Sequence, residues 1–251
     1  MAIETLVRER GGSTPEAGPI AASWLGRMDY REALALQKRL VDERAAGMIG
    51  DQLLLLEHPR VLTLGRTSDP THIRADPATL TARGIEVVRV ERGGEVTYHG
   101  PGQLVAYPII ALSGRGLLVR PLVRALEAAL VATCAAYGVT AGRRDGYPGC
   151  WCDPDGDDPR KIGALGLRIE RGVSYHGIAL NVTVELADFD LIDACGMPGV
   201  TSTSIAAERG ATSAATPTPS PHAPTTVSVE AAATVLAVAL ATELGAPLTW
   251  V

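Results

Sequence analysis

The chain is short of several things that whole classes of protein depend on. Aromatic residues make up 4% of its 251 positions, with a single Phe. Its core is therefore aliphatic, built from Leu, Val, Ile and Ala, and 46% hydrophobic residues suffice for a sizeable interior. Positive charge is scarce: 23 Lys and Arg against 28 Asp and Glu give a net charge of −5, with no long basic run. That argues against nucleic-acid binding, whose affinity comes from clustered Lys and Arg, and leaves room for small acidic ligands. No apolar stretch approaches the length of a membrane span. The opening MAIETLVRERGG lacks the apolar segment of a secretion signal. Cysteine is confined to positions 134, 150, 152 and 195. Without a secretion signal these read as free thiols of a reducing compartment, which makes the expected location cytoplasmic.

What is present comes in well-marked segments. Residues 1–20 are polar and read as a flexible N-terminus, ahead of one domain over 21–251. Asp29 reads as the N-cap of an amphipathic helix, YREALALQKRLVDERAAG. DQLLLLEHPRVLTLG reads as a buried strand, a turn and a second strand. A short Pro-led helix follows near 77–82. GIEVVRVER and QLVAYPIIAL read as strands, and LLVRPLVRALEAALVATCAAYG as a long helix closed by Gly138. Segment 140–160, rich in Gly, Pro and Asp, reads as loop. KIGALGLRIERGVSYHGIALNVTVEL holds two or three strands, and Ser228 caps a last helix that ends at Gly245. Residues 207–227 are low-complexity and read as a mobile surface insertion. Strands outnumber helices and mostly adjoin one another, so the class is mixed α/β, not a strict βαβ alternation.

Four segments carry the chemistry. In Arg92-Gly93-Gly94-Glu95-Val96-Thr97-Tyr98-His99-Gly100-Pro101-Gly102-Gln103, four glycines let the backbone approach a ligand and leave N–H groups uncovered. Arg92 could hold an anion, or a carboxylate could hold Arg92. The flanks are strand and strand, whereas a phosphate loop needs strand then helix, so nucleotide binding does not follow. Lys161 opens the apolar strand Lys161-Ile162-Gly163-Ala164-Leu165-Gly166-Leu167-Arg168, where it either reaches into a pocket or stays an ordinary surface lysine. Ser174-Tyr175-His176-Gly177-Ile178-Ala179-Leu180-Asn181 is a strand whose histidine is either structural or part of a pocket. In Asp193-Ala194-Cys195-Gly196-Met197-Pro198-Gly199 a thiol sits among small residues and turn formers. Cys134 lies in a helical Ala/Leu/Val stretch and reads as packing. Cys150 and Cys152 form a C-x-C in the loop, without the second pair a zinc site needs. Cys195 is the one whose neighbourhood suits an accessible thiol.

In this order and spacing the four segments resemble the lipoyl(octanoyl) transferase family, over about residues 24–206 and the final helix. RGGEVTYHGPGQLVAYP is highly specific for it; KIGALGLR, YHGIALNV and the Cys-Gly step agree. The resemblance implies a single-domain mixed α/β fold of the lipoate/biotin protein ligase type, the class II aminoacyl-tRNA synthetase/biotin synthetase architecture. It implies transfer of octanoyl from acyl carrier protein to a lysine of lipoyl domains, in 2-oxoacid dehydrogenases and the glycine cleavage H protein, without ATP, metal or other cofactor. Cys195 matches the family's nucleophile and Lys161 the lysine that tunes it. Arg92 through His99, Ala164 through Gly166 (with Leu165 between) and Gly177 through Ala179 (with Ile178 between) match the acyl pocket; His176 and Tyr107 are candidates for its support. One departure stands beside the thiol: Ala194 where the family has proline. An ATP-dependent ligase of the same fold and a non-catalytic acyl-binding module are the alternatives, and a monomer is expected.

These residue types suit the chemistry. A free cysteine is only a few per cent thiolate near neutral pH, and a nearby ammonium raises that fraction. Exchange of one thioester for another is close to isoenergetic, and thioester to amide is downhill. The acceptor lysine must lose a proton, and once acylation removes the thiolate charge, Lys161 is the expected base.

Overall fold

The computed structural model describes residues 18–196, 199–212 and 227–251, without the side chains of Cys195 and Thr212. The flexible N-terminus expected over residues 1–20 therefore lies almost wholly outside the described residues, as does 213–226 of the expected insertion. The elements run β1 (Ile20–Arg27), α1 (Tyr30–Ala45), β2 (Asp51–Glu57), β3 (Val61–Leu64), α2 (Pro77–Ala82), β4 (Glu86–Arg89), β5 (Val96–His99) and β6 (Gln103–Ile109). They continue with α3 (Val119–Ala136), β7 (Gly142–Arg144), β8 (Tyr147–Cys152), β9 (Arg160–Glu170), β10 (Val173–Asn181), β11 (Thr201–Ser202), α4 (Ile205–Thr212), α5 (Val229–Glu243) and β12 (Leu248–Trp250).

The large sheet has the order β12-β1-β2-β6-β10-β9-β8-β7, with β11 on β9; a smaller one has the order β4-β3-β5. β12, β1 and β2 are parallel, and the pairs from β2 to β7 are antiparallel. This is the mixed α/β class expected. Helices α3 and α5 cover one face: Leu122, Leu126 and Leu130 with Leu236 and Leu240, at helical spacing, close over Leu53, Leu55, Leu104 and Leu180. On the other face Ala33 of α1 meets Leu54, Leu56, Val105 and Ala179. Burial on both faces explains why β2 reads as an unbroken leucine run. A second core, with Leu62, Leu64, Val96, Tyr98, Leu191, Ile192 and Ala194, fills the small sheet.

Local signals account for the helix ends. Asp29 accepts the N–H groups of Arg31 and Glu32 at 2.8 and 3.2 Å, and Ser228 accepts that of Ala231 at 3.2 Å. Two expectations need correction, and one strand carries no signal in the sequence. Residues 20–27 are a strand, invisible as such because their bonds come from β2 and β12. Segment 140–160 is not all loop: it holds β7 and β8, the latter paired with β9 through Cys150, Trp151 and Cys152. Its Gly and Pro lower strand propensity, and sheet neighbours override that. The first part of the expected insertion, up to Thr212, is α4. Among the described residues no helix is long and apolar enough to cross a membrane.

Candidate active site

A cavity of about 360 Å³ opens where β9 and β10 face β5. The sheet register sets its floor. Ala179 lies between Val105 of β6 and Ala164 of β9, and Gly177 lies beside Gly166; all five line the cavity. Apart from Val105 these side chains are small or missing, so an extended alkyl chain can lie across them. Leu165, Ile178, Gly94 and Glu95 complete much of the wall. Strand alternation divides β5: Thr97 and His99 line the cavity, whereas Val96 and Tyr98 enter the second core. Tyr98 there donates its hydroxyl to Asp188 at 2.6 Å. Gly93 does not line the cavity; its N–H donates to Leu167 O at 3.0 Å and ties the loop to β9. Arg92 is a wall fixed from behind. Its guanidinium donates to Thr63 O at 2.6 Å, to Thr63 Oγ1 at 2.8 Å and to Gly93 O at 3.1 Å.

Lys161 lines the same cavity and is only 6% exposed. Its Nζ stands 4.9 Å over the centre of a Trp151 ring, a cation–π contact. Trp151 is held by its own Nε1–H, which donates to Tyr147 O at 3.0 Å. The lysine stem passes over Gly149, where a Cβ would stand 3.2 Å from Lys161 Cε and 2.5 Å from Gly163 O. Gly149 also has φ +127°, open only to glycine. Gly149 N–H donates to the buried Glu127 at 3.2 Å, and Thr203 N–H to Lys161 O at 2.9 Å. Trp151, and the Gly146, Tyr147 and Pro148 that line the mouth, lie in a segment whose Gly, Pro and Asp content marks it as loop in the sequence. The continuous apolar run Cys150-Trp151-Cys152 is the one sign of a strand there.

Three buried histidines surround the floor. His58 Nδ1–H donates to Met28 O at 2.8 Å, so Nε2 accepts the Tyr107 hydroxyl at 2.7 Å. A longer chain starts at Thr203 O, which takes Asn181 Nδ2 at 2.9 Å; Asn181 Oδ1 takes Gln103 Nε2 at 2.9 Å. Gln103 Oε1 then takes His99 Nδ1–H at 2.7 Å, leaving Nε2 of a neutral His99 as an acceptor. His176 departs from strand alternation through φ +53° and stacks on its neighbour Tyr175, ring centres 4.8 Å apart. Neither of its ring nitrogens has a partner. Burial pushes all three below the usual histidine range, His58 to about 4, His99 and His176 to about 3. They are neutral under ordinary conditions.

Cys195 lies in the 3-10 turn Ala194–Gly196. Its side chain, with Met197 and Pro198, falls outside the described residues. The backbone of the turn is well anchored: Asp193 N–H donates to His72 O at 2.8 Å, and Arg74 N–H to Leu191 O at 2.9 Å. Gly196 has φ +64°, and a Cβ there would stand 2.8 Å from Glu95 Cγ and 3.2 Å from His72 Cε1. The turn thus abuts Glu95, a wall residue of the cavity that Lys161 enters. Ala194 is buried in the second core. The other three cysteines are free and packed in the aliphatic core. The Cys150 contact, then burial, raises the Cys134 thiol, and burial pushes Cys152 up to about 12. Nothing in the sequence marks His72, Tyr30 or Val105 as site residues. The aromatic Tyr30 and Val105 line the cavity from α1 and β6.

A family model for the lipoyl protein ligase A/B catalytic domain matches residues 29–214. The octanoyltransferase of Acidobacterium capsulatum is 50% identical over 192 residues, 73% of this chain and 78% of that one. That of Chloroflexus aggregans is 49% identical over 187 residues, 74% of this chain and 83% of that one. Among solved structures, lipoate-protein ligase A bound with ATP has a TM-score of 0.61 at 15% identity, covering 93% of this chain and 88% of that one. An archaeal bi-partite lipoate protein ligase from Thermoplasma acidophilum also gives 0.61 at 15% identity, covering 93% of this chain and 87% of that one. At that identity the likeness is one of fold.

Proposed function

Since this chain belongs to the family of lipoyl protein ligase A/B catalytic domains, we propose that Cys195 carries the acyl group it transfers and that Lys161 governs the thiol. The chain is an octanoyltransferase, as its relatives at 45–50% identity are. The donor is the octanoyl thioester on the phosphopantetheine of acyl carrier protein. The acceptor is a lysine of a lipoyl domain, and the reaction runs in the cytoplasm.

The observation that carries this reading is the meeting of two elements at one cavity. Lys161 is buried in it, and the turn bearing Cys195 packs on Glu95 of its wall. An ammonium in that position favours the thiolate. The thiolate attacks the donor carbonyl; a new C–S bond forms as the pantetheine C–S bond breaks and that thiol departs. Bond types are conserved, so neither ATP nor metal is needed. The alkyl chain lies over Ala164, Ala179, Gly166 and Gly177. In the second step the acceptor amine replaces sulfur, and Lys161 again faces a thiolate, now as leaving group. Mass spectrometry tests the reading. Protein incubated with octanoyl carrier protein gains an octanoyl group on Cys195, and Lys161→Ala gains it far more slowly. No adduct on the wild type, or an undiminished one in Cys195→Ser, refutes it.

A further inference from the structure

Two side chains meet at the Cys195 turn and are not accounted for by the pair of Cys195 and Lys161. His72 Nδ1–H donates to Glu95 Oε2 at 3.1 Å, and the same oxygen accepts Asp69 N–H at 3.2 Å. His72 is bound to the turn itself, because its carbonyl takes Asp193 N–H and its Cε1 lies against Gly196. With Nδ1–H pointed at a carboxylate, the lone pair is on Nε2. A carboxylate that orients an imidazole holds it in one tautomer and steadies the imidazolium it becomes. The charged groups facing His72 are Glu95 and Asp69, both acidic.

Position separates His72 from Lys161. The acceptor is a lysine on a protein surface, so it arrives from solvent and must shed a proton there. The Lys161 ammonium lies inside the cavity against Trp151. The His72 side chain is 27% exposed and Glu95 22%, so the pair stands at the rim. We propose that His72, aligned by Glu95, is the general base for the acceptor amine, while Lys161 keeps to the sulfur. This rests on the reading of Cys195 as acyl carrier. The acceptor ammonium gives one proton to His72 Nε2, which passes it to water. The freed lone pair bonds the thioester carbon. The second nitrogen proton goes to Nε2 as the C–S pair returns to sulfur. One amide, one thiolate and two released protons result. Glu95 acts through His72 and is a positioning residue.

The test separates the two half-reactions. The full chain is loaded from octanoyl carrier protein and mixed with a lipoyl domain, and loss of the octanoyl mass is followed in one turnover across pH. His72→Gln is expected to load at the wild-type rate and to unload about 100- to 10,000-fold more slowly near neutrality. The gap closes as pH rises, because hydroxide then deprotonates the acceptor unaided. Glu95→Gln slows unloading by a smaller factor with the same trend. Unloading of His72→Gln at the wild-type rate overturns the proposal. So does a loss equal in both half-reactions and flat with pH, which marks a structural role. A wild type that never gains octanoyl on Cys195 overturns instead the acyl-carrier reading.

Discussion

Gly149 shows how far one missing methyl group reaches. Its φ of +127° and its contact with Lys161 Cε leave no room for a side chain. In Gly149→Ala the new Cβ must displace either the lysine stem or the β9 backbone. Misplacement of a reacting group by about 1 Å costs on the order of 100-fold in rate. Cys195 octanoylation in this variant is therefore expected to slow by about that factor, measured in a single turnover by mass spectrometry. Mixing with a Gly149→Ser variant gives a check: the same defect follows from any side chain there, whatever its polarity. At this scale the sequence spoke unevenly. Cys195 stands apart from the other thiols only by its small, turn-forming neighbours, and Lys161 is singled out only by the family resemblance, since a lysine at a strand start is ordinarily exposed. His72 and Trp151 do not stand out, because what matters is whom they meet, and Trp151 meets Lys161 only through the register of β8 on β9.

At the scale of the element, alternation sorts residues that the sequence motif presents as one block. Thr97 faces the cavity, and the adjacent Tyr98 faces the second core. Two substitutions on one strand should thus fail in different ways. Thr97→Trp fills the cavity and is expected to reduce octanoyl loading with a nearly unchanged urea midpoint. Tyr98→Phe removes the hydrogen bond to Asp188, whose remaining partners are Arg60 and Arg83. Its expected effect is a loss of about 1.5–3 kcal/mol in stability, as for a hydrogen bond to a charged group. A motif read along the chain could not make this division, because it depends on which face of β5 meets the cavity. The elements themselves were largely legible: apolar periodicity gave α1, α3 and α5, and Asp29 and Ser228 gave two of their starts. β1, β7 and β8 were not, since edge and near-edge strands take their order from neighbours distant in the chain.

For the whole molecule, three neutral histidines in one interior tie stability to pH. Burial holds His58, His99 and His176 well below the value they regain on unfolding. The unfolded chain then binds more protons than the folded one through the ordinary histidine range. Their contribution is complete above that range and declines as pH falls, until the folded values near 3 to 4 are reached. Each histidine gives a slope of at most about 1.4 kcal/mol per pH unit, so the three together give roughly 4. Urea unfolding is expected to show a loss of roughly 5 kcal/mol between about pH 7 and pH 5. A flat profile over that interval would mean that these rings protonate without disturbing the fold.

The parallel pairing of β12 with β1 bears on how the protein is made. Ile20 opposite Leu248 joins two strands from opposite ends of the described chain. While the ribosome is still at work, β1 can gain β2 on one side, but its other side waits for α5 and β12. Throughout synthesis that side offers unsatisfied N–H and C=O groups to any passing strand. The nascent protein therefore carries an open seam until β12 emerges. Slow or interrupted translation should reveal itself as aggregation through β1, well before any defect in the cavity could matter.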